Sequence, residues 1–189
     1  MRAFHPPQIG TATGFIGDPS GKSSERQFLD EAQLQENALG IRRSVERVLT
    51  HWAEEPDVPS PLVLENAPFY KSLSALEFLR DVGRHFRVSS MLGRESVRAR
   101  LHSGAGLSYT EFSYQVLQAW DFWRLFRDEN CVLQLGGSDQ WGNITAGVDL
   151  IRRQEGQVRE RRYEWSRGER AGTHRVGRRC VCCGRKHSD

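Results

Sequence analysis

Apolar residues at Phe28, Leu34, Ala38, Ile41, Val45, Val48 and Leu49 alternate with charged ones at a spacing of about 3.6, which predicts an amphipathic helix, or a pair of them, over residues 26–52. Pro56, Pro59 and Pro61 take residues 53–61 out of helix. Leu62-Val63-Leu64 then reads as a short strand ending at Glu65-Asn66. Ser74-Ala-Leu-Glu77 is a capping box that opens a helix to about Val82, with Gly83 as its stop. Ser89 or Ser90 is expected to cap a helix running through about Leu101, which Gly104 and Gly106 break. Ser108-Tyr-Thr-Glu111, a second capping box, starts a long helix from Tyr109 to about Arg127. Cys131-Val-Leu-Gln-Leu135, bounded by Gly136-Gly137 and flanked by helices, is expected to be a buried parallel strand, and Asp139–Arg153 a helix. Upstream, the small residues of Gly10–Lys22 predict a glycine-rich turn region. Met1–Thr11 has Pro6-Pro7, no apolar periodicity, and the pattern of neither a signal nor a transit peptide.

With 189 residues, 38% hydrophobic and 27% charged, the chain is long enough for one globular domain or part of a larger one. No run approaches the eighteen or so apolar residues that a membrane span needs. The net charge of +3 conceals a division: residues 1–154 carry 17 basic against 19 acidic side chains, and residues 155–189 carry 10 against 5. The basic excess therefore belongs to a tail poor in large aliphatic residues, which reads as an unstructured segment or as one whose arginines meet RNA phosphates. Cys180, Cys182 and Cys183 also lie there, while Cys131 sits in an apolar stretch, so a reduced chain is expected. Cys180-x-Cys182-Cys183 with His174 and His187 lacks the paired spacing of zinc sites, and no bound metal is expected.

Three constellations could carry chemistry. Tyr114, Gln118 and Asp121, spaced four and three apart, place a phenol, an amide and a carboxylate along one face of an otherwise apolar helix. Such a line either faces solvent or lines a polar pocket. Gly136-Gly137-Ser138-Asp139-Gln140 stands where a strand gives way to a helix, the place where open α/β sheets bind ligands, or it is a plain turn capped by Ser138 or Asp139. Gly17-Asp18-Pro19-Ser20-Gly21-Lys22-Ser23 suggests a P-loop, but Ile16 stands where that motif needs glycine. Asp18 could instead meet an ammonium group, or simply initiate the turn.

Taken together, Ala12–Lys22, Tyr109–Asp121 and Leu135–Ile144 closely resemble the tyrosyl-tRNA synthetases of bacterial and mitochondrial type, a class I aminoacyl-tRNA synthetase family, over roughly Gly10–Gln154. The resemblance implies an α/β fold: an incomplete Rossmann-like catalytic domain, a parallel sheet flanked by helices, followed by a disordered basic tail. It implies activation of tyrosine by ATP, with Mg in the family, and transfer of tyrosyl to tRNA-Tyr, catalysed by positioning and electrostatics. Asp18, Tyr114 and Gln118 match the positions that hold the tyrosine ammonium, and Asp121 matches the carboxylate that accepts the phenolic hydroxyl. Gln140 matches the catalytic side chain near the reacting carboxylate, and Gly137 and Asp139 match those at the ATP ribose. The resemblance further implies a homodimer, with the Phe78–Phe86 region and Tyr109 at its interface, and a mitochondrial matrix location, or cytoplasm for a bacterial protein.

Departures from the family pattern accompany it. Ser89 stands at a pocket position often held by asparagine in bacterial members. Nothing in Met1–Ile9 resembles the family's first strand and His-x-Gly-His type loop, and Lys22, Lys71 and Lys186 are the only lysines, so no Lys-Met-Ser-Lys type loop is present. The expected organisation is a non-family segment at 1–9, a partial catalytic domain at 10–154 and a Cys/Arg-rich tail at 155–189. Phe4-His-Pro-Pro-Gln8 and Val158-Arg-Glu160 can be encoded by sequences of intron-acceptor and intron-donor form, which would make both flanks translated intron. The isolated chain is expected to be inactive. The alternative is a non-catalytic interaction protein that binds RNA or a synthetase subunit.

Overall fold

A computed structural model of the chain describes residues 7–20, 27–53, 62–104 and 106–156. The proline-rich stretch, all of Gly21–Ser23 and the cysteine- and arginine-rich tail from residue 157 on, with its expected disorder, lie outside the described residues.

Strand β1 (Gln8–Ile9) pairs in parallel with β2 (Leu64–Glu65), in the register Gln8 to Leu64 and Ile9 to Glu65. Parallel neighbours need a long crossover, supplied here by helix α1 (Glu31–Ala53). The result is the β–α–β unit of a Rossmann-like fold. The sequence reading placed no element at Gln8–Ile9. Two residues between Pro7 and Gly10 show no periodicity, and the strand exists because the Leu64 N–H donates to the Pro7 carbonyl and the Asn66 N–H to the Ile9 carbonyl.

Helix α1 is a single helix capped by Asp30, whose carboxylate accepts from the Gln33 N–H at 2.8 Å. Phe28 therefore precedes it. Only Leu34 of its apolar stripe is fully buried, whereas Ile41 and Val48 stay exposed. Ala38, Val45 and Leu49 are half-buried, so the predicted amphipathic stripe is partly covered along its length.

Short helix α2 (Ala67–Tyr70) follows β2, and the Ser74–Glu77 capping box forms at the start of α3 (Ala75–Glu77), with both reciprocal bonds made. The chain then widens into a π-helical turn over Phe78–Val82 and tightens into a 3-10 turn over Gly83–His85. Gly83 is right-handed and does not stop the helix, contrary to its sequence reading. Side chains from a later helix satisfy this distorted stretch: Gln154 Nε2 donates to the Asp81 carbonyl at 2.9 Å, and Arg153 donates to the His85 carbonyl.

Helix α4 (Val88–Leu92) is separated from α5 (Glu95–His102) by Gly93 and the extended Arg94. Neither Ser89 nor Ser90 is a cap, because Arg87 holds that position and both serines lie inside α4. Helix α6 (Tyr109–Glu129) begins where Ser108 accepts from the Glu111 N–H, and it ends at Asn130 in the left-handed conformation. Helix α7 (Trp141–Gln154), preceded by a 3-10 turn at Ser138–Gln140, packs along α6.

The predicted strand Cys131–Leu135 is not a strand: the described sheet contains β1 and β2, and neither pairs with it. An apolar run becomes a strand only when an edge is available to hydrogen bond with it. Here Cys131 is instead a buried free thiol in the core, as its apolar setting implied. That core joins Val116, Ala119, Phe122 and Phe126 of α6 to Ala146, Leu150 and Ile151 of α7, closed by Val82 and Met91. Close approach is possible because α7 offers Gly147, where an added Cβ would lie 2.8 Å from Phe122 Cδ1.

Candidate functional site

The polar line on α6 begins from a rigid first turn. Arg100 of α5 reaches Glu111 with both terminal nitrogens, Nη2 to Oε2 at 2.9 Å, and both side chains are 3% exposed. One and two turns on, Tyr114 and Gln118 are half-buried, and Asp121 is 5% exposed. Of the two readings left open by the spacing, the solvated face is excluded for Asp121.

A buried carboxylate needs donors, and Asp121 has them. Asn66, fully buried at the carboxyl end of β2, donates through Nδ2 to Asp121 Oδ2 and to Thr13 Oγ1, each at 2.8 Å. Its Oδ1 accepts from the Ala12 N–H at 2.7 Å, so both ends of the amide are used. Tyr70, the last residue of α2, donates to Asp121 Oδ1 at 2.7 Å, and its hydroxyl also lies 3.1 Å from the Leu117 carbonyl. Burial pushes the Asp121 carboxyl up to about 6, and the bonds from Asn66 and Tyr70 oppose that rise. Burial and the neighbouring Asp121 likewise raise the Tyr70 hydroxyl above the ordinary phenol range, so it stays protonated.

The second cluster starts from the loop Gly10–Ser20, whose 3-10 turn at Thr13–Phe15 presents Thr13 to Asn66. Gly17, with φ of 78°, then reverses the chain and sets Asp18. Gln140 Nε2 donates to Asp18 Oδ2 at 2.6 Å and to Asp139 Oδ2 at 3.0 Å, bridging the two carboxylates. Buried Asn143, in the first turn of α7, sends Nδ2 toward Gln140 Oε1 at 3.1 Å and toward both Asp18 oxygens at 3.4–3.5 Å. The Ser20 N–H caps the other side of Asp18 at 2.9 Å. Among the described residues, no group of three or more His, Cys, Asp or Glu is placed to hold a metal ion.

The geometry is thus two hydrogen-bonded clusters, one around Asp121 and one around Asp18, joined by a single short loop. A family model for the class I tRNA synthetases (W and Y) matches residues 8–164. The chain belongs to this synthetase family. It is 54% identical over 159 residues to a tyrosine–tRNA ligase of Rhodopirellula baltica, covering 83% of this chain and 35% of that protein. It is 51% identical over 145 residues to one from Protochlamydia amoebophila, covering 77% and 33%. A C-terminally truncated Coccidioides posadasii mitochondrial tyrosyl-tRNA synthetase has a similar fold, with a TM-score of 0.67 and 34% identity over 79% of this chain and 43% of that one. The chain spans about a third of the length of the curated relatives it matches.

Of the residues singled out from this synthetase chain's sequence, Asp18, Gln140 and Asp139 meet in one cluster, and Asp121 anchors the other. Tyr114 lies near enough to Tyr70 to act on its hydroxyl, and Gln118 shares the face of α6. Gly137 is exposed and extended, and its carbonyl accepts from the Gln140 N–H at 3.0 Å. Lys22 and Ser23 of the failed P-loop lie outside the described residues. Thr13, Asn66, Tyr70 and Asn143 were missed. Asn66 alone had a usable signal, since it ends a predicted strand at the edge where α/β sheets bind ligands. Ser89, expected in the pocket as the replacement for an asparagine, is exposed on α4. The asparagine that meets Asp121 is Asn66.

Proposed function

We propose that this chain carries the tyrosine-recognising part of a tyrosine–tRNA ligase catalytic domain. The observation that carries the reading is the buried Asp121 carboxylate, held on each oxygen by one donor. A carboxylate has about four acceptor positions, so two donors leave room for the phenolic hydroxyl of a substrate. Phenylalanine would leave that acceptor unpaired and is thereby rejected.

Asp18, with Tyr114 and Gln118, takes the tyrosine ammonium, since carboxylate, phenol and amide oxygens all accept from it. Gln140, already bonded to Asp18 and Asp139, lies between the amino-acid side and the nucleotide side, and so acts on the reacting carboxylate. Gly137 and Asp139 meet the ATP ribose: the exposed glycine leaves space for the sugar and Asp139 accepts from its hydroxyls. ATP is the co-substrate, with Mg²⁺ accompanying its phosphates, and tRNA-Tyr receives the tyrosyl group. The names of the relatives support this assignment.

Pairing with a second copy through the Phe78–Phe86 region and Tyr109 fits the exposure of Leu76, Leu79, Val88 and Tyr109. The compartment is the mitochondrial matrix or, for a bacterial source, the cytoplasm.

Calorimetric titration with L-tyrosine and L-phenylalanine, alongside tyrosine-dependent pyrophosphate exchange, tests the reading. Binding of tyrosine and not of phenylalanine is expected, and the exchange assay reads whether the bound tyrosine is activated. A folded chain that binds neither amino acid, or both equally, overturns it.

A further inference from the structure

We infer that Tyr70 is a positioning residue for tyrosine selection, its hydroxyl holding one oxygen of Asp121 so that the free acceptor positions of the carboxylate face the substrate phenol. The inference rests on the reading of Asp121 given above.

Asn66 and Tyr70 are four residues apart at the two ends of α2, one helical turn, and together they grip opposite oxygens of the same carboxylate. The turn itself is anchored, because the Ala67 N–H donates to Thr11 Oγ1 at 3.2 Å and the Phe69 N–H to the Asn66 carbonyl at 2.9 Å. Two donors on a rigid base leave Asp121 little freedom to rotate about its last torsion. One donor would leave it free to turn its second oxygen.

The Tyr70 hydroxyl has one hydrogen and two acceptors in reach, Asp121 Oδ1 at 2.7 Å and the Leu117 carbonyl at 3.1 Å. An ionised carboxylate is the stronger acceptor, so the hydrogen goes to Asp121. Protonation of Asp121 removes that preference, and Leu117 provides the fallback partner. The balance at Asp121 is set by burial, Asn66 and Tyr70, and Tyr114 acts in turn on Tyr70. Tyr70 therefore favours the charged, accepting form of Asp121 as well as its orientation.

The test uses the full chain, Tyr70→Phe, Asp121→Asn and the double variant. The Asp121 carboxyl is titrated by carbon-13 NMR, and tyrosine and phenylalanine affinities are measured on each protein. Tyr70→Phe should raise the carboxyl midpoint above its starting value of about 6 and lower tyrosine-over-phenylalanine selectivity about tenfold, the scale of one hydrogen bond to a charged group. On the Asp121→Asn background the same change should leave selectivity unaltered. An unmoved midpoint with unmoved selectivity overturns the inference, as does an equal loss on both backgrounds, which would reduce Tyr70 to packing. If the unmodified chain binds neither amino acid, the tyrosine reading and the selectivity half of this inference fall together, and the carboxyl titration still decides the positioning half.

Discussion

Gln140 Nε2 donates to Asp18 Oδ2 at 2.6 Å, joining side chains 122 residues apart in sequence. That bond ties the glycine-rich loop after β1 to the start of α7, so two of the three motifs that carry the family resemblance meet in one contact.

Gln140→Ala should therefore release the loop as well as remove a polar group. Loss of its hydrogen bonds to the Asp18 and Asp139 carboxylates predicts a stability decrease of about 2–3 kcal/mol in urea unfolding, together with weaker tyrosine binding. Gln140→Glu should be worse than alanine, because it would set a third carboxylate against Asp18 and Asp139. A glutamate variant as stable as alanine at neutral pH would contradict the bridging role.

Asn66→Ala strands several buried partners at once: the Ala12 N–H, the Thr13 hydroxyl and Asp121. A cost of about 3 kcal/mol or more is expected. The bond from Asn66 also lowers the Asp121 carboxyl, so its NMR midpoint should rise in this variant.

Asp121 makes stability depend on pH. Its folded carboxyl, at about 6, lies above the ordinary 3.8. The protonated form is thus favoured on folding, and this contribution is complete below about pH 4 and lost as pH rises through about 6. Asp121→Asn removes the dependence. Thermal unfolding of the two proteins should show the asparagine variant gaining about 2 kcal/mol relative to the parent between pH 4 and pH 7, while tyrosine selectivity is lost. Parallel pH profiles would refute the assignment.

Gly147→Ala places a methyl group 2.8 Å from Phe122 Cδ1 at the α6–α7 contact. Phe122 is almost fully buried and has little room to yield. A destabilisation of about 1–3 kcal/mol is expected, although alanine is the better helix former. Chemical denaturation distinguishes the signs directly.

Arg100→Met should cost about 3–5 kcal/mol by leaving Glu111 charged and buried without its guanidinium. Adding Glu111→Leu should recover most of the loss, since a matched apolar pair needs no compensation. If the double variant remains as unstable as the single one, the pair does more than neutralise itself.

Much of this protein was legible along the chain, because the relevant signals are local. The capping serines Ser74 and Ser108 and the 3.6-residue periods depend on residues a few positions apart, and α1, α3, α6 and α7 formed near the expected places. The resemblance motifs were short and contiguous for the same reason, and they named Asp18, Asp121, Asp139 and Gln140. What needed the tertiary structure was pairing between distant segments. Cys131–Leu135 has the composition of a strand, but hydrogen-bonded neighbours decide whether it is one, and Gln8–Ile9 became a strand only because residues 64–66 lie beside it. Asn66, Tyr70, Thr13 and Asn143 carry no motif of their own. Their roles arise from the burial of Asp121 and the partial burial of Asp18, since a carboxylate withdrawn from water must be met by donors wherever the chain can supply them.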